Sequence, residues 1–166
     1  PPERLFRRAL RSLVAGRDEA AEEDLTAIVR DDSNEVEAYL GLAEIYRRRD
    51  EIGRAITMYQ NLNLRSDLDD EQREAVMCGL GLAFESGGFV PRAIATFEQV
   101  LERTSDQRTA LEGLMRLLPQ QADLERALVV RRRWSRKHGT PDPAAEAALL
   151  AEIARTGLRD PDLARK

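Results

Sequence analysis

The stretch that decides the fold is Glu35-Val-Glu-Ala-Tyr-Leu-Gly-Leu-Ala-Glu-Ile-Tyr-Arg-Arg-Arg-Asp-Glu-Ile-Gly-Arg-Ala-Ile-Thr-Met-Tyr-Gln-Asn-Leu62. Apolar and aromatic residues recur in it at helical spacing, namely Tyr39, Leu42, Ala43 and Tyr46, then Ala55, Tyr59 and Leu62. The stretch therefore predicts two amphipathic helices joined by a tight turn. Ala43 and Ala55 are expected where these helices cross, because a large side chain would force two closely packed helices apart.

The same arrangement occurs four times along the chain. A third copy contains Gly81, Phe84, Ala93, Phe97 and Val100. A weaker first copy contains Ala9, Ala21, Leu25 and Ile28, and a fourth contains Leu111, Leu114, Met115, Leu118, Ala127 and Trp134, with Arg131 in place of the usual aromatic. The second-helix alanines, Ala21, Ala55, Ala93 and Ala127, are spaced by 34, 38 and 34 residues. The four extra residues fall in 65–73.

This period and this order of side chains resemble the tetratricopeptide repeat, in which the first helix reads large–Leu–small–aromatic and the second Ala–aromatic–apolar. The resemblance implies an all-α fold, a tetratricopeptide repeat α-α superhelix of about four helical hairpins plus a partial fifth. We expect one solenoid over residues 1–166. Its repeats would cover about 2–35, 36–69, 74–107, 108–141 and, in part, 142–166.

Turn and capping residues set the expected helix limits. The predicted helices are 3–15, 19–30, 35–49, 51–64, 70–86, 90–103, 106–118, 123–137 and 144–156, with another beginning in Asp160–Lys166. Ser33 or Asn34 is expected to cap the third helix, and Asp67 or Asp69 the fifth. Pro119 and Gly157 are expected to end the seventh and ninth.

Composition excludes several classes of protein. Apolar residues make up 42% of the 166 residues and charged residues 34%, which is too apolar for a disordered chain. The net charge of −4 gives no overall attraction to nucleic acid or to an anionic membrane. No apolar run reaches eighteen residues, so no membrane insertion by this chain is expected. The sequence begins without Met, so we expect it to be part of a longer protein.

The chain offers little material for catalysis. Cys78 is the only cysteine, so neither an internal disulfide nor a paired-cysteine metal site can form, and it is expected to be a small packed residue rather than a reactive thiol. His138, the only histidine, precedes Gly139 and is interpreted as part of a helix end rather than as a metal ligand. No nucleophile–base pair or phosphate-binding glycine loop is present. We therefore expect no enzyme activity, no metal and no cofactor.

Two segments leave alternatives open. The basic run Arg131-Arg-Arg-Trp-Ser-Arg-Lys137 is either a solvated helix end or a patch for an acidic protein or phosphate. Trp134 is expected on the core side of its helix. The first helix, 3–15, has a wide apolar stripe, which either packs on its neighbour or meets something beyond this chain, since terminal repeats need a cap.

A solenoid of helical hairpins has a concave groove lined by the first helix of each repeat. The groove positions are those that the packing pattern leaves unused, and as a protein-binding site they are Glu37, Leu40, Glu44, Arg47, Arg48, Cys78, Leu82, Glu85, Glu112 and Arg116. An apolar floor with mixed charges suits a peptide or helix of mixed character, although a wetted surface without a ligand is the alternative.

The residues Val36-Glu-Ala, Tyr46-Arg-Arg-Arg49, Glu51-Ile-Gly-Arg-Ala-Ile56 and Gln60-Asn-Leu62 resemble the first repeats of the lipopolysaccharide assembly protein B family. The insertion with Glu71-Gln-Arg73, then Gly88-Phe-Val-Pro-Arg-Ala93, extends the similarity to about residues 10–135. This resemblance implies a membrane-anchored cytoplasmic adaptor with a rubredoxin-like metal module, linked to a membrane AAA protease and to proteolytic control of the deacetylase that commits sugar nucleotide to lipid A. We expect neither the anchor nor the metal module within these 166 residues.

The resulting hypothesis is a non-catalytic adaptor that binds a protein or peptide partner in its groove and regulates lipopolysaccharide synthesis by presenting that partner to a membrane protease. The alternatives are a general scaffold in another bacterial assembly, such as secretion or motility, and a module that self-associates through its terminal repeats. Nucleic acid is not expected as a partner. The expected location is cytoplasmic, with tethering to a membrane through a segment outside this chain.

Overall fold

The computed structural model describes residues 2–139 and 141–159, and this part of the chain contains nine helices and no strand. They are α1 (Pro2–Val14), α2 (Asp18–Asp31), α3 (Val36–Arg48), α4 (Ile52–Asn63), α5 (Asp70–Ser86), α6 (Val90–Arg103), α7 (Arg108–Gln120), α8 (Leu124–His138) and α9 (Pro143–Arg159). The expected all-α tetratricopeptide repeat class is confirmed. The helix predicted to begin in Asp160–Lys166 lies outside the described residues.

Two compact units divide the chain within α6, the first ending at Thr96 and the second beginning at Phe97. In the first unit α1 pairs with α2 and α3 with α4, while α2 also packs on α3, α4 on α5, and α3 on α5. In the second unit α7 packs on α8 and α8 on α9. A single solenoid over the whole chain stays a prediction.

The repeating alanines are buried. Ala21, Ala55 and Ala93 are completely buried, and Ala127 is 2% exposed. Their first-helix counterparts Ala9 and Ala43 are also completely buried. This burial agrees with the predicted packing of small residues at the crossings, where a methyl group lets two backbones approach closely.

A second series of small residues was not predicted. A Cβ added to Gly79 in α5 would come within 3.0 Å of the Tyr59 ring in α4, and a Cβ added to Gly113 in α7 would meet the Phe97 ring in α6 equally closely. A Cβ added to Gly41 in α3 would lie 2.7 Å from Cδ1 of Leu25. In each case, a first helix lacks a side chain where it faces the large residue of the preceding second helix. These glycines are spaced by 38 and 34 residues, so the alanine spacings could have revealed them.

The hairpin turns repeat as well. A residue with positive φ closes each turn between a first and a second helix: Gly16 at +69°, Asp50 at +62°, Gly88 at +75° and Ala122 at +57°. Their spacings are again 34, 38 and 34 residues. Glycine adopts this left-handed conformation at little cost, whereas a residue with a Cβ is strained there. The turn geometry is therefore imposed by the packing of the helices even where the sequence supplies Asp or Ala.

Helix ends agree with the sequence in part. Asp69 caps α5 through a capping box with Gln72, as expected, and Gly139 ends α8 at φ +62°. Neither Ser33 nor Asn34 caps α3, whose N-cap is Glu35 without a side-chain bond, while the Asn34 N–H donates to Asp32 Oδ1 at 2.8 Å.

Two predicted helix stops are wrong. Pro119 lies inside the last turn of α7, which continues to Gln120. Gly157 lies inside α9, which continues to Arg159. Proline already has the φ of a helix. The backbone hydrogen bond that its missing N–H cannot make belongs to the last turn, so the loss does not interrupt the rest of the helix. Glycine lowers helix stability by only about 1 kcal/mol, which does not by itself end a helix.

Candidate functional site

The predicted groove residues of the second and third repeats lie on α3 and α5, which pack against each other in the first unit. We call their partly open side the α3–α5 face and define it by Glu37, Leu40, Glu44, Arg47, Leu82 and Glu85. Glu37 is exposed and the other five are half-buried. This face therefore presents part of each of these side chains to solvent while its two helices pack on each other.

Arg47 links the two helices of this face. Its guanidinium donates to both carboxylate oxygens of Glu44, at 2.9 Å from Nε and 2.7 Å from Nη2, and Nη1 donates to Ser86 Oγ of α5 at 3.3 Å. The hydrogen bonds to Glu44 raise the pKa of Arg47 above its usual value. The pair is thus an ordered, charge-balanced element rather than two free charges waiting for a ligand.

Glu37 makes a second link at the other end of the face. Its carboxylate accepts a hydrogen bond of 2.9 Å from Gln72 Nε2, the same side chain that completes the cap of α5. The links from residue 37 to residue 72 and from 47 to 86 show that α3 and α5 run in the same direction. The two helices are therefore parallel and are joined by hydrogen bonds near both ends.

Leu40 and Leu82 supply the apolar part of the α3–α5 face. Leu40 packs against the buried cluster of Val36, Leu62, Leu68 and Val76 and is still half-exposed. The core contacts the inner side of the Leu40 side chain and so keeps its exposed part in a fixed position. A rigid, partly exposed apolar surface binds a partner without the entropic cost of ordering itself first.

Cys78 requires a correction. The spacing placed it among the groove residues, but it is buried, with 7% of its surface exposed. Burial, with a smaller contribution from Glu74, raises the pKa of the thiol to about 12. Cys78 is a small packed residue, as the alternative interpretation held, and it is not open to a partner. The periodicity of α5 alone did not show this burial.

Arg48 is also engaged within the chain. Its Nη1 donates to the Leu13 carbonyl oxygen at 3.2 Å, and its Nη2 lies 3.3 Å from Asp18 Oδ1. It therefore joins α3 to the end of α1 and the start of α2. Arg48 stabilises the first two hairpins and is a weaker candidate for partner contact than the sequence suggested.

The remaining two predicted residues, Glu112 and Arg116, lie on α7 in the second unit. Glu112 is half-buried and accepts a 2.9 Å hydrogen bond from Arg108 Nε, one helical turn earlier. Arg116 is exposed. Both are on the surface of their own unit, so their place among the groove residues stays a prediction.

A cavity of about 600 Å³ between α3 and α4 was missed by the sequence analysis. It is lined by Tyr39, Tyr46, Gly53, Arg54, Thr57, Met58, Asn61, Leu62 and Arg65. The Arg54 guanidinium lies 3.8 Å from the centroid of the Tyr46 ring, and Tyr46 donates to Glu22 at 3.3 Å. The α4 residues at positions 54, 58 and 62 share a helix face, which is the signal that could have indicated this hollow.

The basic run of α8 is largely neutralised by neighbouring carboxylates. Arg131 pairs with Asp142 at 3.4 Å, Arg132 with Glu146 at 3.3 Å and Lys137 with Asp106 at 3.0 Å. These pairs favour the interpretation as a solvated helix end over a patch for phosphate. Trp134, expected on the core side, is half-buried.

Trp134, the aromatic residue of this run, contacts His138 and Arg108. The Trp134 ring centroid lies 4.0 Å from that of His138, and the Arg108 guanidinium lies over the indole at 5.6 Å. His138 is thus packed against an aromatic ring at the end of α8. Among residues 2–139 and 141–159, no group of three or more His, Cys, Asp or Glu side chains is arranged to hold a metal ion.

Within the described part of the chain, none of the helices combines the length and the apolar character needed to cross a bilayer.

Comparison with known proteins places this geometry among tetratricopeptide repeat proteins. No protein-family model matches the chain. Lipopolysaccharide assembly protein B of Escherichia coli K12 is 26% identical over 153 residues, which cover 92% of this chain and 39% of the relative, and the protein of the same name in Escherichia coli O157:H7 gives the same values. The chain therefore spans about two fifths of the length of these curated relatives.

Two solved structures share the fold. A thermophilic TPR protein of Thermus thermophilus superposes with a TM-score of 0.70 at 15% identity, over 98% of this chain and 95% of that one. The Pseudomonas aeruginosa protein pilF superposes with a TM-score of 0.54 at 16% identity, over 99% and 87%. The chain is a tetratricopeptide repeat protein that resembles the lipopolysaccharide assembly protein B family.

Proposed function

We propose that this chain is a non-catalytic adaptor in lipopolysaccharide assembly, which binds a protein partner on the α3–α5 face and presents it to a membrane protease. The fold supports protein binding, and the similarity to lipopolysaccharide assembly protein B supports the process. The protease and a membrane tether outside this chain come from the family resemblance. In this proposal the repeats act on the cytoplasmic side of the membrane.

The observation that carries the binding proposal is the combination of half-exposed Leu40 and Leu82 with the Glu44–Arg47 pair, which is anchored across to Ser86. The two leucines offer apolar area, and the ordered charges beside them favour a partner with its own charges in register. Because both helices are packed in the hairpin core, the surface is formed before the partner arrives.

The test is capture of partners from the source cell with the wild-type chain and with the Leu40→Glu, Leu82→Glu double variant. The proposal expects a membrane protease or an enzyme of lipopolysaccharide synthesis with the wild type, and loss of that protein with the double variant. Recovery of the same proteins by both would show that the face is wrongly assigned. Recovery of secretion or motility proteins alone would favour the general scaffold.

Two further variants make the result interpretable. Leu40 touches the buried cluster, so the melting temperature of the double variant must first be compared with that of the wild type. Glu37→Lys changes the same face at an exposed position whose only described bond is to Gln72, and it should also weaken capture without unfolding the protein. Thr57→Glu, exposed on α4, is the matched control and should leave capture unchanged.

Self-association stays a prediction, which light scattering over a range of concentrations tests.

A further inference from the structure

Helix α1 has an outer face that the adaptor proposal does not use. Arg4, Arg7 and Arg11 share this face with Leu10 and Val14, because positions three and four apart lie side by side on a helix. All five residues are exposed, and the exposed fraction is 45% for Leu10 and 91% for Val14. The inner face packs on α2 through buried Ala9 and Ser12.

Charge is concentrated in this segment. Residues 3–17 contain five arginines and one glutamate, in a chain whose net charge is −4. Arg8 is bound to buried Asp24, and Arg7 lies 3.6 Å from Glu3. Among the residues that the structure describes, Arg4, Arg11 and Arg17 make no ion pair with a carboxylate. The overall negative charge therefore hides a local positive surface.

We propose that the outer face of α1, defined by Arg4, Arg7, Leu10, Arg11 and Val14, binds the surface of a bilayer that contains anionic phospholipids. A helix with arginines next to exposed aliphatic side chains lies in the plane of a bilayer, where the guanidinium groups reach phosphates and the aliphatic groups enter the boundary of the acyl chains. The negative surface potential of such a membrane supplies the complementary charge.

The exposed apolar residues favour a bilayer over an acidic protein as the occupant. Val14 and Leu10 stand one turn apart on a convex helix surface, flanked by arginines on the same side, and shallow burial of such groups needs no complementary cavity. The contact is peripheral and adds to, rather than replaces, partner binding on the α3–α5 face. It can be measured without any partner, so its failure leaves the adaptor proposal untouched.

Flotation of the 166-residue chain with vesicles provides the test. Vesicles of phosphatidylcholine mixed with phosphatidylglycerol should bind the chain, vesicles of phosphatidylcholine alone should bind it much less, and added salt should release it. One arginine near an anionic surface contributes about fivefold to the partition constant. The Arg4→Glu, Arg11→Glu variant should therefore lose at least about 25-fold, and Leu10→Ser, Val14→Ser should weaken the binding that survives in high salt.

The control variant is Arg30→Glu, Arg136→Glu, which makes the same charge change at exposed positions of α2 and α8. It should bind mixed vesicles like the wild type. Equal loss in this control would show that only the total charge matters and would overturn the proposal, as would equal binding of the wild type to both kinds of vesicle or to neither. A change in sedimentation mass on altering Leu10 and Val14, without a change in vesicle binding, would assign the face to a second copy of the chain and would also overturn it.

Discussion

Gly79 of α5 lies directly against the ring of Tyr59 of α4, and an added Cβ would come within 3.0 Å of two ring carbons and within 2.8 Å of the hydroxyl oxygen. Tyr59 is 3% exposed, so its ring has no free space to enter. Burial also raises the pKa of its hydroxyl. The approach of α5 to α4 thus depends on the absence of a single methyl group.

Gly79→Ala should therefore destabilise the protein. Overpacking a filled core costs about 1–3 kcal/mol, whereas the better helix propensity of Ala returns at most about 1 kcal/mol. Urea unfolding followed by circular dichroism measures the difference. Gly53→Ala in α4 is the matched control, because nothing lies within 4 Å of its added Cβ. The control should gain about 0.5–1 kcal/mol. Equal gains from both substitutions would contradict the close approach.

Ala122→Gly should make the protein more stable. Ala122 closes the α7–α8 turn at φ +57°, a conformation that costs a residue with a Cβ about 1–2 kcal/mol. The greater conformational freedom of glycine in the unfolded chain offsets part of the relieved strain, so the net gain in the free energy of unfolding should be about 0.5–1 kcal/mol. The reverse change, Gly88→Ala at the equivalent turn with φ +75°, should lower stability. Thermal unfolding compares the two, and a loss for Ala122→Gly would show that the strain is absent.

Arg8→Ala should destabilise the protein in a pH-dependent manner. Arg8 Nε donates to Asp24 Oδ2 at 2.7 Å, and this hydrogen bond holds the pKa of the Asp24 carboxyl below its usual value although the site is buried. Because the folded-state pKa is the lower one, the stabilisation is present above the unfolded-state pKa of about 3.9 and is lost as the pH falls through the folded-state value.

We expect Arg8→Ala to lower the urea midpoint at neutral pH, because the substitution leaves the buried Asp24 carboxylate without its donor. The difference from the wild type should shrink toward the acid end of the titration, where the carboxyl is protonated. Urea unfolding at several pH values measures it. Arg7→Ala, which removes only an exposed contact with Glu3, should leave the midpoint close to that of the wild type at any pH. A pH-independent loss for Arg8→Ala would contradict the ion pair.

Cys78 should be almost unreactive in the folded protein. With its pKa raised to about 12, only about one thiol in ten thousand is ionised at pH 8, against about a quarter for an ordinary thiol. Its reaction with a disulfide reagent should be at least about a thousandfold slower in the native protein than in urea, as measured by release of the coloured thiolate. Similar rates under both conditions would return Cys78 to the open surface.

Repetition explains why so much of the fold could be predicted. Ala21, Ala55, Ala93 and Ala127 recur at nearly constant spacing, and each is buried in its helix. The glycine series and the turn series have the same spacings, so they too could have been predicted. Arg131, which stands where Tyr59 and Phe97 stand in earlier repeats, pairs with Asp142 instead of filling a contact against a glycine.

The site could be predicted less well because exposure depends on neighbouring helices. Position 78 has the spacing of a groove residue, yet packing buries it. Position 48 also has that spacing, yet Arg48 turns to Asp18 and the Leu13 carbonyl. The cavity between α3 and α4 arises from the distance between two helices, which no periodicity within one helix encodes.

The sequence alone determined the class of fold, the repeat length and the position of the crossings, because helical periodicity and side-chain size act locally and recur from repeat to repeat. Only the tertiary structure decided which polar groups of α3 and α5 bind one another, as Arg47 binds Glu44 and Ser86, and that Cys78 is buried. These outcomes depend on distances between segments far apart in the chain. Those distances are set by the packing of the helices.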